Sequence, residues 1–118
     1  MADAVVLVTG AGAPGIAGTI YALQENPERK TFRIISTDIN EDAVGKYLTD
    51  AFYQVPPPEE DDYIRSLERI VRDEDVDVII PQTTREIFIL AEHVDYFRSM
   101  GTEVVVSSAI SIKTANDK

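Results

Sequence analysis

A run of apolar residues that ends in a cluster of glycines constrains the fold of this chain more than any other feature. Residues 5–8 read Val-Val-Leu-Val, and Gly10, Gly12 and Gly15 follow with the spacing G-x-G-x-x-G. The residues after Gly15 suit a helix. A strand, a glycine turn and a helix in this order form the opening of a nucleotide-binding α/β unit.

This glycine loop has two interpretations. Glycine permits positive φ angles and lets an anion or another backbone approach closely. A helix that begins near Pro14 would point its free N–H groups at whatever lies on the loop. Gly10, Gly12, Pro14 and Gly15 are therefore candidates for an anion or phosphate site. Alternatively, the glycines serve only a tight turn between strand and helix, because the same motif also occurs without a ligand.

The rest of the chain alternates between strand and helix patterns. Strands are predicted over 32–37, 51–55, 76–80 and 102–107, helices over 16–26, 40–45, 63–71 and 87–97, and weak helix over 111–118. The central strands are nearly continuous apolar runs, as in a parallel sheet that helices cover on both faces. We expect one domain over residues 1–118, an α/β, Rossmann-like, three-layer open parallel sheet of about five strands with the first strand central.

Polar residues gather at the edge of this sheet where a ligand would bind, outside the carboxyl ends of the strands. Asp38 follows the second strand, where dinucleotide folds hold ribose hydroxyls, but it could equally satisfy backbone N–H groups in the turn to Asn40. Thr83 and Glu86 have the spacing of a helix capping box. Together with Thr84 they could instead receive an anion at the start of that helix.

Composition excludes several classes of function. The chain has 21 acidic and 11 basic residues and a formal charge of −10, which repels nucleic acid and anionic membrane surfaces. It has no cysteine, no apolar run long enough to span a membrane and no basic leader, so we expect a cytoplasmic domain. No catalytic residue or metal-ligand spacing is evident, and the lone His93 lies off the apolar stripe. No tyrosine is followed four residues later by lysine, so the acid–base pair of short-chain dehydrogenases is missing.

Six segments in their order resemble a known family: 10–15, Asp38, 50–56, 77–81, 83–87 and 116–118. Over essentially the full chain they look like the N-terminal, pre-ATP-grasp domain of ATP-grasp enzymes, in the branch similar to the carbamoyl-phosphate synthase large subunit. That subunit carries a longer glycine segment in its opening loop, so the resemblance does not assign carbamoyl phosphate as the reaction product.

This resemblance implies a substrate-site domain of an ATP-dependent carboxylate–amine ligase that is not catalytic alone. ATP and Mg²⁺ would bind in an ATP-grasp domain after Lys118 or on a separate chain, and this chain would bind no cofactor itself. Its partner would be a small carboxylate or phosphate substrate, and a homo-oligomer is compatible with the sequence. Two alternatives are a stand-alone NAD(P)-binding Rossmann module and a regulatory or scaffolding domain.

Overall fold

The first strand lies in the middle of the sheet because its residues are apolar towards both faces. The computed structural model describes residues 2–106. Within them a parallel sheet has the order β3-β2-β1-β4-β5. Its strands are β1 (Ala4–Thr9), β2 (Phe32–Asp38), β3 (Ala51–Gln54), β4 (Val78–Ile80) and β5 (Glu103–Val104). The predicted Rossmann-like fold is confirmed.

Between residues 2 and 106, four helices cover the two faces of the sheet: α1 (Ile16–Gln24), α2 (Asp62–Glu74), α3 (Thr84–Ala91) and α4 (Val94–Arg98). On one face Val6, Val8 and Ile34 pack with Ile16 and Ile20 of α1. On the other face lies a larger cluster made of Leu7, Ile35, Ile79, Tyr63, Leu67, Leu90 and Phe97. Alternate residues of β1 and β2 therefore enter different clusters, as the pleat of a strand requires.

Two predicted helices differ from the observed ones. The short helix expected over 40–45 is instead a 3₁₀ turn over Val44–Tyr47. Asn40 accepts the N–H groups of Asp42 and Ala43, and this turn delays the start of the helix. The stripe over 87–97 is divided into α3 and α4, because His93 has a φ of −120° and interrupts the helical backbone.

Element boundaries also shift by a few residues. Helix α1 begins at Ile16, with Gly15 as its N-cap, so Pro14 lies before the helix and not in its first turn. Strands β4 and β5 are shorter than predicted. The weak helical pattern over 111–118 lies outside the described residues. No helix within residues 2–106 is long and apolar enough to cross a membrane.

Candidate functional site

The glycine loop and the loop before α3 meet at the carboxyl edge of the sheet. They follow β1 and β4, which are neighbours in the sheet, while the chain from α1 returns to β2 on the other side of β1. Such a reversal of direction is where open α/β sheets form a ligand crevice. Gly10 has a φ of +75°, and a Cβ there would lie 3.3 Å from the Cβ of Gln82 and 3.1 Å from the Cγ2 of Thr83. The predicted convergence of these loops is therefore observed.

Much of the glycine loop's own hydrogen-bonding capacity is already used. The N–H of Ala11 donates to the carbonyl of Thr37 at 2.8 Å, and the N–H of Ala13 donates to the carbonyl of Gly10 at 2.9 Å. By contrast, the N–H groups of Gly15 and Ala17 form no hydrogen bond with any residue between 2 and 106. The donors that remain for a ligand thus include two at the start of α1, beside the loop.

Asp38 is part of the glycine loop's support. Its Oδ1 accepts the N–H of Gly12 at 3.1 Å, and its Oδ2 accepts the N–H of Asn40 at 2.9 Å. The carboxylate therefore serves the local turn, one of its two predicted roles, and at the same time ties β2 to the loop. It also places a negative charge directly beside Gly12.

Thr83 and Glu86 interact with each other, but not as a full capping box. The Thr83 Oγ1 accepts the N–H of Glu86 at 3.2 Å and caps α3. The Glu86 carboxylate does not return to the backbone: its Oε1 accepts the Thr83 hydroxyl at 3.0 Å, and its Oε2 accepts the Tyr63 hydroxyl at 2.8 Å. Thr84 is exposed on the first turn of α3.

Glu86 is a buried acid, since only 5% of the residue is exposed. Burial raises the pKa of its carboxyl group, and the nearby charge of Asp38 raises it further. Hydroxyl groups of Tyr63, Thr83 and Thr9 act in the opposite direction and lower this pKa. The Thr9 hydroxyl lies fully buried near this group without a hydrogen bond of ordinary geometry. Burial likewise raises the pKa of Tyr63.

The acidic side chains and His93 are the other groups that could take part in metal binding or catalysis. No group of three or more His, Asp or Glu side chains within residues 2–106 could hold a metal ion. His93 is half-buried, and its Nδ1 lies 2.9 Å from the carbonyl oxygen of Ile89. This histidine serves the junction between α3 and α4.

Residues 6–105 match the family model described as the PylC-like N-terminal domain. The chain belongs to this family. It is an N-terminal domain of the ATP-grasp ligase type, as the resemblance indicated. No curated protein matches the chain.

Solved structures share the fold of this PylC-like domain. Glycinamide-RNase-transformylase T from Mycobacterium tuberculosis matches with a TM-score of 0.63 and 19% identity, over 86% of this chain and 28% of that protein. N5-carboxyaminoimidazole synthetase from Staphylococcus aureus matches with a TM-score of 0.52 and 14% identity, over 86% and 24%. The dTDP-glucose 4,6-dehydratase from Bacillus anthracis, in complex with NAD, matches with a TM-score of 0.55 and 19% identity, over 80% and 34%. The domain therefore spans about a third or less of each protein.

Three residues of the PylC-like domain support the site although sequence reasoning did not select them for it. Tyr63 lies at the start of the helix predicted over 63–71, and the signal for its role is that a buried tyrosine hydroxyl needs a hydrogen-bond partner. Gln82 accepts the Thr19 hydroxyl at 2.9 Å and so connects the loop before α3 with α1. Gly45 donates its N–H to the Ala11 carbonyl at 2.8 Å, and a Cβ at this position would lie 2.7 Å from the Cβ of Ala11. No local pattern predicts either contact.

Proposed function

We propose that this domain forms one wall of the substrate site of an ATP-dependent carboxylate–amine ligase. The arrangement would be of the carbamoyl-phosphate synthase large-subunit type, with ATP and Mg²⁺ held by an ATP-grasp domain outside residues 1–118. The observation that carries this proposal is the contact between the glycine loop and the loop before α3 at the carboxyl edge of the sheet. The family supports the coarser part of this proposal, because the PylC-like domain is an N-terminal domain of the ATP-grasp ligase type.

Two helix starts at this edge offer donors to an anionic substrate group. At α1 these are the N–H groups of Gly15 and Ala17, and at α3 those of Thr84 and Arg85, none of which bonds to a described residue. The positive end of each helix dipole favours an anion near these groups. Gly10, Gly12, Pro14 and Thr83 shape the loops, and the substrate contacts Gly15 and Thr84.

A carboxylate suits this edge better than a phosphate. Asp38 already occupies the N–H of Gly12, so a phosphate on the loop would face a carboxylate. Two like unit charges about 4 Å apart repel by about 4 kcal/mol at an effective dielectric constant of 20, and a dianion would roughly double this. We therefore assign the substrate carboxylate to the free N–H groups at the starts of α1 and α3, and not to the Gly12 N–H, which Asp38 occupies.

Nuclear magnetic resonance can test this assignment on the ¹⁵N-labelled chain, with sodium acetate and inorganic phosphate as probes and sodium chloride as the ionic-strength control. We expect acetate to shift the amide signals of Gly15, Ala17 and Thr84 and to leave that of Gly101 in place. Gly15→Pro removes one N–H and should weaken the response, while Gly18→Ala, one turn later, should retain it. Equal responses to acetate and chloride would contradict the carboxylate site.

A separate experiment tests the proposal that ATP and Mg²⁺ bind in another domain. We expect the isolated chain to show no Mg²⁺-dependent ATP hydrolysis above a protein-free control, because the proposal places the nucleotide site elsewhere. Robust Mg²⁺-dependent turnover by the purified chain would refute this division of labour.

The second candidate is an NAD(P)-binding Rossmann module. Asp38 at the end of β2, in contact with Gly12, is the observation that favours it. A thermal-shift titration discriminates between the two, since a ligand at 100 times its Kd adds about 2.7 kcal/mol of stability. Stabilisation by NAD⁺ that is lost in Asp38→Asn would support this candidate against the ligase domain.

A further inference from the structure

We propose that Tyr63 and Glu86 form a buried, protonation-sensitive brace that sets the conformation of the glycine loop. Neither residue contacts the substrate in this proposal, so both are positioning residues. The inference concerns how the proposed substrate wall is held, and its importance for binding rests on the proposed function.

The brace is a chain of contacts from helix α2 to the loop. The Tyr63 hydroxyl donates to the Glu86 Oε2 at 2.8 Å, and the Thr83 hydroxyl donates to the Oε1 at 3.0 Å. The same Oε1 lies against Gly10, where a Cβ would approach it to 2.7 Å. Both carboxylate oxygens are therefore held, and the loop glycine packs on one of them.

Proton uptake by Glu86 adds a hydrogen-bond donor to this set of contacts. The charged carboxylate only accepts hydrogen bonds, as it does from Tyr63 and Thr83, whereas the neutral acid must also donate one. The Thr83 Oγ1 already accepts the N–H of Glu86. The buried Thr9 hydroxyl makes no hydrogen bond of ordinary geometry within residues 2–106, yet it lies close enough to lower the pKa of the Glu86 carboxyl group, and its oxygen can accept a hydrogen bond from the neutral acid. Because Thr9 immediately precedes Gly10, a new bond to it acts on the base of the loop.

The surroundings of Glu86 favour its neutral form. Desolvation is the largest influence and raises the pKa of the carboxyl group, and Asp38, from the end of β2, raises it further. From α2 only the uncharged Tyr63 faces it. From α3, Arg85 interacts electrostatically with Glu86, but its guanidinium is exposed and paired with Glu59. A surface ion pair in water compensates a buried charge only weakly.

Amide signals of the glycine loop report this process directly. In the ¹⁵N-labelled chain of residues 1–118, titrated from about pH 4 to about pH 8, we expect Gly10 and Ala11 to shift with one inflection above the ordinary glutamate pKa of about 4.3. Glu86→Gln should abolish the inflection. Tyr63→Phe should move it to higher pH, because the tyrosine hydroxyl favours the charged form.

Helix α2 provides a matched control for the tyrosine substitution. Tyr53 also bonds through its hydroxyl to a glutamate of α2, Glu74. Tyr53 lies in β3, and Tyr53→Phe removes a tyrosine hydroxyl at the opposite end of α2 from Tyr63. This substitution should leave the Gly10 inflection in place.

Three results would overturn the brace. The first is that the loop amide signals do not change with pH, and the second is that the inflection persists in Glu86→Gln. The third is that the inflection is lost in Asp38→Asn but kept in Glu86→Gln. The wild type and Glu86→Gln decide the matter even if Tyr63→Phe does not fold. Because no ligand is present, a negative result here leaves the acetate and ATP tests of the proposed function unaffected.

Discussion

Substituting Gly10 by alanine tests the packing at the centre of the site. An alanine at the observed φ of +75° occupies the left-handed region, which costs about 1–2 kcal/mol. Its Cβ would also lie 2.7 Å from the Glu86 Oε1. That oxygen cannot move aside cheaply, because the carboxylate is buried and held by Tyr63 and Thr83.

The magnitude follows from a comparison with Gly101. Gly101 has a φ of +87°, but a Cβ there would meet no atom within 4 Å. Gly101→Ala therefore carries the backbone strain alone, reduced by about 0.4–1 kcal/mol through the less flexible unfolded chain. Gly10→Ala adds overpacking of about 1–3 kcal/mol. We expect Gly10→Ala to lose about 2 kcal/mol more unfolding free energy than Gly101→Ala.

Urea-induced unfolding, followed by circular dichroism at pH 7, measures both free energies. The two variants should keep the wild-type slope with denaturant, so that the midpoints report stability. Equal losses in Gly10→Ala and Gly101→Ala would refute the reasoning, because they would show that the Glu86 carboxylate yields freely to the new methyl group.

The remaining predictions concern the caps, helix α1 and the buried acid. Thr83→Ala should lower the unfolding free energy by about 0.5–2 kcal/mol because it removes the cap of α3. Thr84→Ala, at the exposed neighbouring position, should change the unfolding free energy by less than about 0.5 kcal/mol. Equal urea midpoints of the two variants would contradict this role of Thr83. Gly18→Ala should raise the unfolding free energy by about 0.5–1 kcal/mol, since Gly18 lies within α1 and a Cβ there meets nothing within 4 Å. A lower unfolding free energy in the same urea assay would contradict this prediction. The raised pKa of Glu86 stabilises the fold below the unfolded-state pKa and loses this contribution as pH rises through the folded value. Glu86→Gln should therefore flatten the decline of stability above the ordinary glutamate range, and an unchanged pH profile in urea titrations would contradict it.

Local patterns account for most of the elements, but not for all of their ends. The nearly continuous apolar runs of the central strands predicted a buried parallel sheet, because only strands covered on both faces can be apolar on both. The helix over 87–97 was wrong as one element: its apolar spacing continues past His93, whereas the backbone leaves the helical conformation there, at a φ of −120°. Hydrophobic periodicity indicates which face of a helix is buried, but it does not predict where one helix ends and the next begins in a new direction.

The meeting of the loops around the candidate site was predicted, but the contacts of its single residues were not. The carboxyl-edge rule brought Asp38, the glycine loop and Thr83 together, as observed. The same rule could not assign Asp38 to the Gly12 N–H, since that contact spans 26 residues and depends on the register of β1 and β2. Nor could it show that the Glu86 carboxylate lies inside the domain, where Tyr63 from another helix satisfies it.

The amino-acid sequence by itself determined the class of fold, the strand at its centre and the edge of the sheet where the glycine loop meets the loop before α3. These follow from the order of apolar runs and glycines, which acts over neighbouring residues. Only the tertiary structure decided which donors at that edge remain free, and that Glu86 supports the loop from within. Burial and hydrogen bonding between distant segments, such as α2 and α3, arise only when the layers pack, and they change the chemistry of a carboxyl group that looks ordinary in the sequence.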